Sequence, residues 1–418
     1  MKPKKFLVTS ALPYANASLH IGHIFESVIT DIWVRFQVNH GNECHYFCAS
    51  DAHGTPVMLK AEELGISPEQ HIQNIQKEHL KSYSKYLINF SNFYSTHSDE
   101  NKTFSEEIYQ LAQNNGLIYK KEIEQFFDSE KLMFLSDRFI KGICPQCGAE
   151  DQYGDSCGAC GATYSPQDLV KPKSTLTNTD PILKTTEHIF FKLPEKTEFL
   201  KNFIKNLEIQ IPVKNKLKEW TSNMLKDWDI SRDSPYFGFK IPNEQDKYFY
   251  VWLDAPIGYF ASIKDWANKH SFNLEDIINS DSEYELIHFI GKDISYFHAL
   301  FWPALLDCTH YLQPSQINVH GFLTINGEKI ALFRHLNSVY AMTTQCPHPV
   351  IFRGPLTITQ DRNFVLFANL GILLCSTTTK KSLFRKIGHV FKVPCKTPHQ
   401  ETENFQCMNV LIFRTHGK

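Results

Sequence analysis

No stretch of this 418-residue chain holds about 18 consecutive apolar residues, the least that a membrane-crossing helix needs. The basic start, Met1–Lys5, leads into no signal-peptide core. We therefore expect a cytoplasmic protein with no membrane partner. Cysteine is scarce: eleven in this length are too few for a disulfide scaffold, so a cluster of them in a reducing compartment reads as metal ligands. No internal repeat is visible, which excludes a solenoid. With 42% apolar and 21% charged residues the chain falls among ordinary globular proteins. It is long enough for two or three domains with a large core.

Charge is unevenly spread. Residues 331–418 carry 11 Lys and Arg against 3 Asp and Glu, while the remainder carries 32 against 42. A basic tail suits nucleic-acid contact, and it equally suits a segment of different origin from the rest.

Residues 5–115 alternate apolar runs with helical patterns. Phe6–Val8 predicts a strand. Ile21, Phe25, Val28, Ile32 and Phe36 predict a helix from about His20 to Val38, and Cys44–Ala49 predicts a second strand. Pro56–Leu64 reads as a helix stopped by Gly65, and Ser67-Pro68-Glu69-Gln70 opens another with Ser at the N-cap. This alternation predicts a parallel sheet, whose ligands sit beyond the C-terminal strand ends near a switch point, where Tyr14, His20 and Asp51 fall. Residues 116–232 break the rhythm and read as an insertion. Apolar runs at Tyr248–Phe260 and Leu286–Ile290 resume as strands, a helix starts around His298, and Ile317–Ile325 reads as a last strand.

Three motifs carry chemistry. Ala11-Leu12-Pro13-Tyr14-Ala15-Asn16-Ala17-Ser18-Leu19-His20-Ile21-Gly22-His23 ends a strand and starts a helix. Free N–H groups and the dipole at such a start seat phosphate. His20 and His23 share a face, and Gly22 lets a ligand approach the backbone; the plain alternative is polar surface. Cys144-Pro145-Gln146-Cys147 and Cys157-Gly158-Ala159-Cys160 are two CxxC knuckles suited to tetrahedral zinc. Four thiolates would leave no open position, so the zinc would be structural; four free cysteines or two disulfides are the alternatives. Third, Tyr250–Tyr259 and Gly291–Trp302 are rich in aromatics, which by spacing alone suit a core.

The first motif, as His20-Ile21-Gly22-His23, resembles the HIGH motif of class I aminoacyl-tRNA synthetases, and its thirteen-residue context resembles methionyl-tRNA synthetase. The resemblance covers about Lys5–Lys329. It includes Gly54-Thr55-Pro56, the block 134–164, Trp228–Asp233, the segments near 252 and 298, and Val319-His320-Gly321. It implies a Rossmann-like, doubly wound α/β sheet split by a zinc-bearing insert. The expected division is residues 1–115 and 233–330 as the two catalytic halves, 116–232 as the insert and 331–418 as a divergent, poorly ordered tail in place of the anticodon-binding domain.

The resemblance also implies the chemistry. L-Methionine would be activated by ATP with Mg²⁺ to methionyl-adenylate, then transferred to tRNA(Met). Leu12, Tyr14, Trp252, Ala255, Pro256, Tyr259, Ile294 and His298 would surround the side chain, with Phe301 and Trp302 shaping its end. Such an apolar pocket suits a thioether, to whose sulfur His298 and Tyr14 could hydrogen-bond. Asp51 would bind the α-ammonium, with a helix N-cap as the alternative. His20, Gly22, His23 and Lys329 would contact ATP.

The family pattern then fails. Where a Lys-Met-Ser-Lys-Ser loop should follow, the chain reads Lys329-Ile330-Ala331-Leu332-Phe333. Leu332 replaces a lysine that grips the pyrophosphate end of ATP, a loss worth about 2.7–4 kcal/mol of transition-state stabilisation. From Ala331 onward we expect a translated non-native reading frame or a damaged gene end, with a novel basic RNA-binding tail as the competing view. The expectation is a methionine–tRNA ligase of impaired activity. Its rivals are a non-catalytic methionine- or nucleotide-binding remnant and a synthetase for another amino acid.

Overall fold

The computed structural model describes residues 2–323 in full and, beyond them, the backbone of 324–325, 328–335, 338–343, 390–392 and 409–411. The chain forms two compact units. One comprises residues 1–19, 25–81 and 88–321, the other residues 20–24, 82–87 and 322–418.

The chain opens with β1 (Lys5–Ser10), α1 (Ile21–Asn39), β2 (Glu43–Ser50), α2 (Thr55–Leu64), α3 (Pro68–Lys85), β3 (Asn92–Ser95) and α4 (Asp99–Asn114), of which residues 21–24 and 82–85 belong to the second unit and the rest to the first. Strands β4 (Ile118–Asp128), β5 (Met133–Phe134), β6 (Ile140–Ile143), β7 (Gln152–Tyr153), β8 (Val170–Ser174) and β9 (Ile182–Phe191) follow. Next come α5 (Thr197–Asn206), β10 (Glu208–Ile209), α6 (Ile211–Ser222), β11 (Trp228–Asp229), β12 (Ser231–Asp233), β13 (Lys247–Phe249), α7 (Val251–His270) and α8 (Glu275–Ile278). The first unit closes with β14 (Tyr284–Gly291), α9 (Trp302–Leu306) and β15 (Pro314–His320).

Six strands form the central sheet in the order β10-β15-β14-β1-β2-β3, every pair parallel. From β1 the chain winds outward through β2 and β3, then returns to β14 on β1's other side. The switch point therefore lies beyond the C-terminal ends of β1 and β14. The middle strands are buried on both faces: Phe6 to Ser10, Tyr46 to Ser50 and Leu286 to Gly291 are all inaccessible, as helices on both sides require. Two antiparallel sheets, β11-β9-β4-β5 and β7-β6-β8, occupy the stretch between α4 and α7.

The helix ends follow their local chemistry. Ser67 accepts the Gln70 N–H at 3.1 Å and Ser98 the Asn101 N–H at 3.3 Å. Gly65 ends α2 at φ +67° and bonds back to Ala61 and Glu62.

Three expectations are corrected. Residues 248–260 are not a strand: β13 ends at Phe249, and α7 begins at Val251. Every residue from Leu253 to Ile263 is buried, so the run is apolar all round and its period is silent. The last strand runs Pro314–His320, and β16 (Thr324–Ile325) is separate. The segment near His298 begins as a 3₁₀ turn, Lys292–Ile294, and a π turn, Phe297–Phe301, before α9.

In the second unit β16 pairs antiparallel with β17 (Glu328–His335), which pairs antiparallel with β18 (Ser338–Thr343). The expected boundary at residue 330 thus falls inside β17. Most of the expected tail, including Cys346, Cys375, Cys395 and Cys407, lies outside the described residues. Among the described residues no helix is long and apolar enough to cross a membrane.

Leu286, fully buried in β14, belongs to the main core with Leu7, Phe47, Phe260 and Leu300. Leu286→Ala should cost about 2–5 kcal/mol, read as a lower urea midpoint for the chain.

Candidate functional site

The strand ends beyond the switch point are held by backbone. After β1 and β2 the two corners continue as a parallel bridge between Tyr14 and Asp51. Ala15 N–H donates to the Asp51 carbonyl at 2.7 Å, and Asp51 N–H donates to the Pro13 carbonyl at 3.0 Å. Tyr14 then reaches the start of α2. A Cβ at Gly54, which has φ +120°, would stand 2.6 Å from the Tyr14 hydroxyl, so only glycine fits here. The Val57 N–H, one of α2's free N-terminal donors, bonds the same phenol. Burial, then Asp51, pushes the Tyr14 phenol up. Asp51 is itself raised well above the carboxylate range by burial and by Asp254.

Helix α7 carries the next group of candidate residues, and its Asp254 acts on Asp51. Trp252 is half-buried and stacks on Phe297 with ring centroids 4.1 Å apart. Pro256 within the helix withholds the N–H that Trp252's carbonyl would otherwise accept. Ala255 and Pro256 are buried in its second turn. Leu12 packs on Gly258, where a Cβ would stand 3.1 Å from Leu12 Cδ2 and 2.7 Å from Thr96 Cγ2. Tyr259 is buried and its hydroxyl meets His298 Nε2 at 2.8 Å. His298 Nδ1 lies 3.2 Å from the Ile294 carbonyl, which can only accept. The ring proton therefore sits on Nδ1, and Tyr259 donates to Nε2. Both ring nitrogens are thus engaged, which corrects the expectation that His298 hydrogen-bonds a sulfur. Phe301 and Trp302 are fully buried, the latter against Phe260 at 5.3 Å.

Two groupings were not read from the sequence. Glu26 on α1 accepts the Ala11 N–H at 2.7 Å and pairs with His320 Nε2 at 2.9 Å. Burial raises Glu26; burial would lower His320, but Glu26 outweighs it and raises it. Asp254 bonds His53, which in turn meets His97. The available signal was a lone acid in an apolar run: Glu26 after Phe25, and Asp254 between Leu253 and Ala255.

In the second unit, His20 and His23 stack at 3.6 Å with 17° between ring planes. Gly22 N–H donates to His20 Nδ1 at 3.1 Å, and a Cβ at Gly22 would meet His20 Cε1 at 2.9 Å. The space over Gly22 is thus filled by the His20 ring. Lys329 lies in β17, opposite Thr324; its side chain is outside the described residues.

The cysteine knuckles are near copies. Cys144 N–H bonds the Ala149 carbonyl and Cys157 N–H the Ala162 carbonyl, both at 2.8 Å. Gly148 and Gly161 take φ of +74° and +73°, which lets each chain turn back. The four sulfurs lie within 4.8 Å of one another, with Cys144 to Cys160 at 3.9 Å and Cys147 to Cys157 at 3.6 Å. A zinc tetrahedron with bonds of about 2.3 Å has edges of about 3.8 Å, so the donor set fits zinc.

A parallel sheet with its switch point between β1 and β14, a paired-histidine corner after β1 and a four-cysteine insert are the features of a class I tRNA synthetase fold. A family model described as tRNA synthetases class I (M) matches residues 6–345, past Lys329. The chain belongs to this family. Among solved structures, it is similar to a Mycobacterium tuberculosis methionyl-tRNA synthetase bound by methionyl-adenylate, at 25% identity and TM-score 0.58, over 77% of this chain and 58% of that one. A second structure, of the M. tuberculosis enzyme in complex with methionyl-adenylate, matches in fold at 24% identity and TM-score 0.58, over 76% and 57%. This chain thus spans a little under three fifths of those proteins' length.

Two outcomes follow from this geometry. Cys157→Ser leaves three thiolates, and the zinc retained after dialysis against a chelator should fall about tenfold or more, read by elemental analysis. Burial pushes His298 down to about 4 against an ordinary 6.5. The unfolded chain therefore binds this proton first. Stability that is full above pH 6.5 should be lost as pH falls toward 4, by up to about 3 kcal/mol, and His298→Gln should flatten that limb of a pH-dependent unfolding series.

Proposed function

We propose that the chain activates L-methionine with ATP to methionyl-adenylate and transfers it to tRNA(Met), at a rate impaired by Leu332. What carries the reading is the bridged Tyr14–Asp51 corner facing α7 at the switch point of a class I fold. In support, a similar structure is bound by methionyl-adenylate. Asp51 would pair with the α-ammonium. Leu12, Tyr14, Trp252, Ala255, Pro256, Tyr259, Ile294 and His298 would enclose the side chain, with Phe301 and Trp302 packed behind. His20, Gly22, His23 and Lys329 would meet ATP, whose Mg²⁺ neutralises phosphate charge. Positioning and electrostatics would do the work, since the methionine carboxylate itself attacks the α-phosphate as pyrophosphate leaves.

Zinc on Cys144, Cys147, Cys157 and Cys160 would cross-link the insert at 116–232, set between the catalytic halves 1–115 and 233–330. Residues 331–418 would be a divergent tail. Outside the knuckles, the described cysteines Cys44, Cys48 and Cys308 form no disulfide, and the location proposed is the cytoplasm.

Leu332 also favours a second reading, a methionine- or nucleotide-binding remnant without catalysis. Methionine-dependent ATP–pyrophosphate exchange separates the two. We expect slow exchange that Leu332→Lys speeds by about 100- to 1000-fold. Trp252→Ala should raise the methionine KM about tenfold or more by removing the stack on Phe297. Methionine binding with no exchange in either chain selects the remnant; no response to methionine at all overturns both.

A further inference from the structure

Asp254 is the one acid within the buried run Leu253–Ile263 of α7, and it is 1% exposed. Its Oδ2 bonds His53 Nδ1. His53, with no exposed surface, places Nε2 at 2.9 Å from His97 Nδ1. His97 stacks on Phe237 at 5.0 Å, lies nearly parallel to Phe239 at 5.9 Å, and lines a cavity of about 1060 Å³ bounded by α3, the start of α4 and the loop before β13. A continuous column of hydrogen bonds thus leads from a buried carboxyl to open space.

The other end of the column has spare acceptors. Asp254 Oδ1 and Asp51 Oδ1 are both buried, and neither has a hydrogen-bond partner among the described residues. The groups that bear on the pair are three phenols, Tyr14, Tyr236 and Tyr259, together with His53; Arg232 acts on Tyr236. His53 acts on Asp254, and the charge that bears on Asp51 is Asp254 itself. Two buried carboxylates resist ionising together, and burial raises both, so one proton shared by the pair is the expected state until a cation arrives. An α-ammonium brings one charge and three donors.

We propose that Asp254 shares the α-ammonium with Asp51, and that its arrival expels a proton along His53 and His97 into the cavity. This rests on the functional reading above, in which Asp51 meets that ammonium. Each proton moves one place. The Asp254 carboxyl proton passes from Oδ2 to His53 Nδ1, the His53 Nε2 proton passes to His97 Nδ1, and the His97 Nε2 proton leaves to water in the cavity. Both rings end neutral with their tautomers exchanged, both carboxyls end ionised, and the charge balance is closed by the bound ammonium. Burial, then His53, lowers His97, so it passes a proton on rather than keeping it.

The test is calorimetry of L-methionine binding to the full chain in phosphate and in Tris, whose ionisation heats differ. The expected result is a buffer-dependent heat equivalent to release of up to about one proton, with Kd tightening by up to about tenfold per pH unit from pH 6 to 8. Asp254→Asn should weaken binding about tenfold or more and abolish the buffer dependence. Binding with no proton release, or release undiminished in the Asp254→Asn chain, overturns this inference and leaves the functional reading standing. No binding at all overturns both. The pH series on the unaltered chain needs no variant, so it decides the matter even where Asp254→Asn fails to fold.

Discussion

Two backbone hydrogen bonds carry the site. Ala15 to Asp51 and Asp51 to Pro13 extend the β1–β2 ladder past the strand ends, where each chain would otherwise turn away. The bridge fixes Tyr14 beside Gly54 and so lets the phenol accept from the first turn of α2. It also buries the Asp51 carboxyl, because its backbone is committed to pairing with a neighbour inside the sheet. Any change that frees this corner would release a ring, a helix start and a charge together.

Burying acids and histidines here runs against stability. A core built for stability alone would replace Asp51, Asp254, His53 and His298 with apolar groups, since leaving polar groups partly paired costs about 1–3 kcal/mol each. Around them Leu7, Phe260, Leu286, Leu300 and Trp302 belong to one contiguous core. Local rules broken inside a well-packed frame are where ligand chemistry is expected.

What the sequence disclosed follows from which signals are local. Gly65 and the Ser67–Gln70 cap bound α2 and α3 because their chemistry acts within four residues. The cysteine knuckles were legible for the same reason, as each turn is closed by its own glycine. Helix α7 was not legible: an element buried all round shows no period. The column Asp254–His53–His97 and the pair Glu26–His320 were hidden because they join residues some 200 and 300 positions apart. Only an acid set in an apolar run hinted at them. The methionine-pocket residues were named from family likeness rather than from pattern. The structure puts Leu12 on Gly258 and Tyr259 on His298, while the side chain of Lys329 lies outside what it describes.

The tautomer of His298 bears on selectivity. Its Nδ1–H is taken by the Ile294 carbonyl and its Nε2 by the Tyr259 hydroxyl, so neither ring nitrogen has a donor left for a ligand. Tyr259 spends its own proton on that bond. On the proposed reading a thioether would then be held here mainly by contact with aromatic and aliphatic surface, including the half-buried Trp252 stacked on Phe297. Contact of that kind measures volume and shape, and a missing or extra methylene changes it by only about 1–3 kcal/mol. On that reading the pairing of Tyr259 with His298 leaves neither of those two side chains a proton to donate to a polar substrate group. Straight-chain apolar analogues of methionine's size would be excluded only weakly.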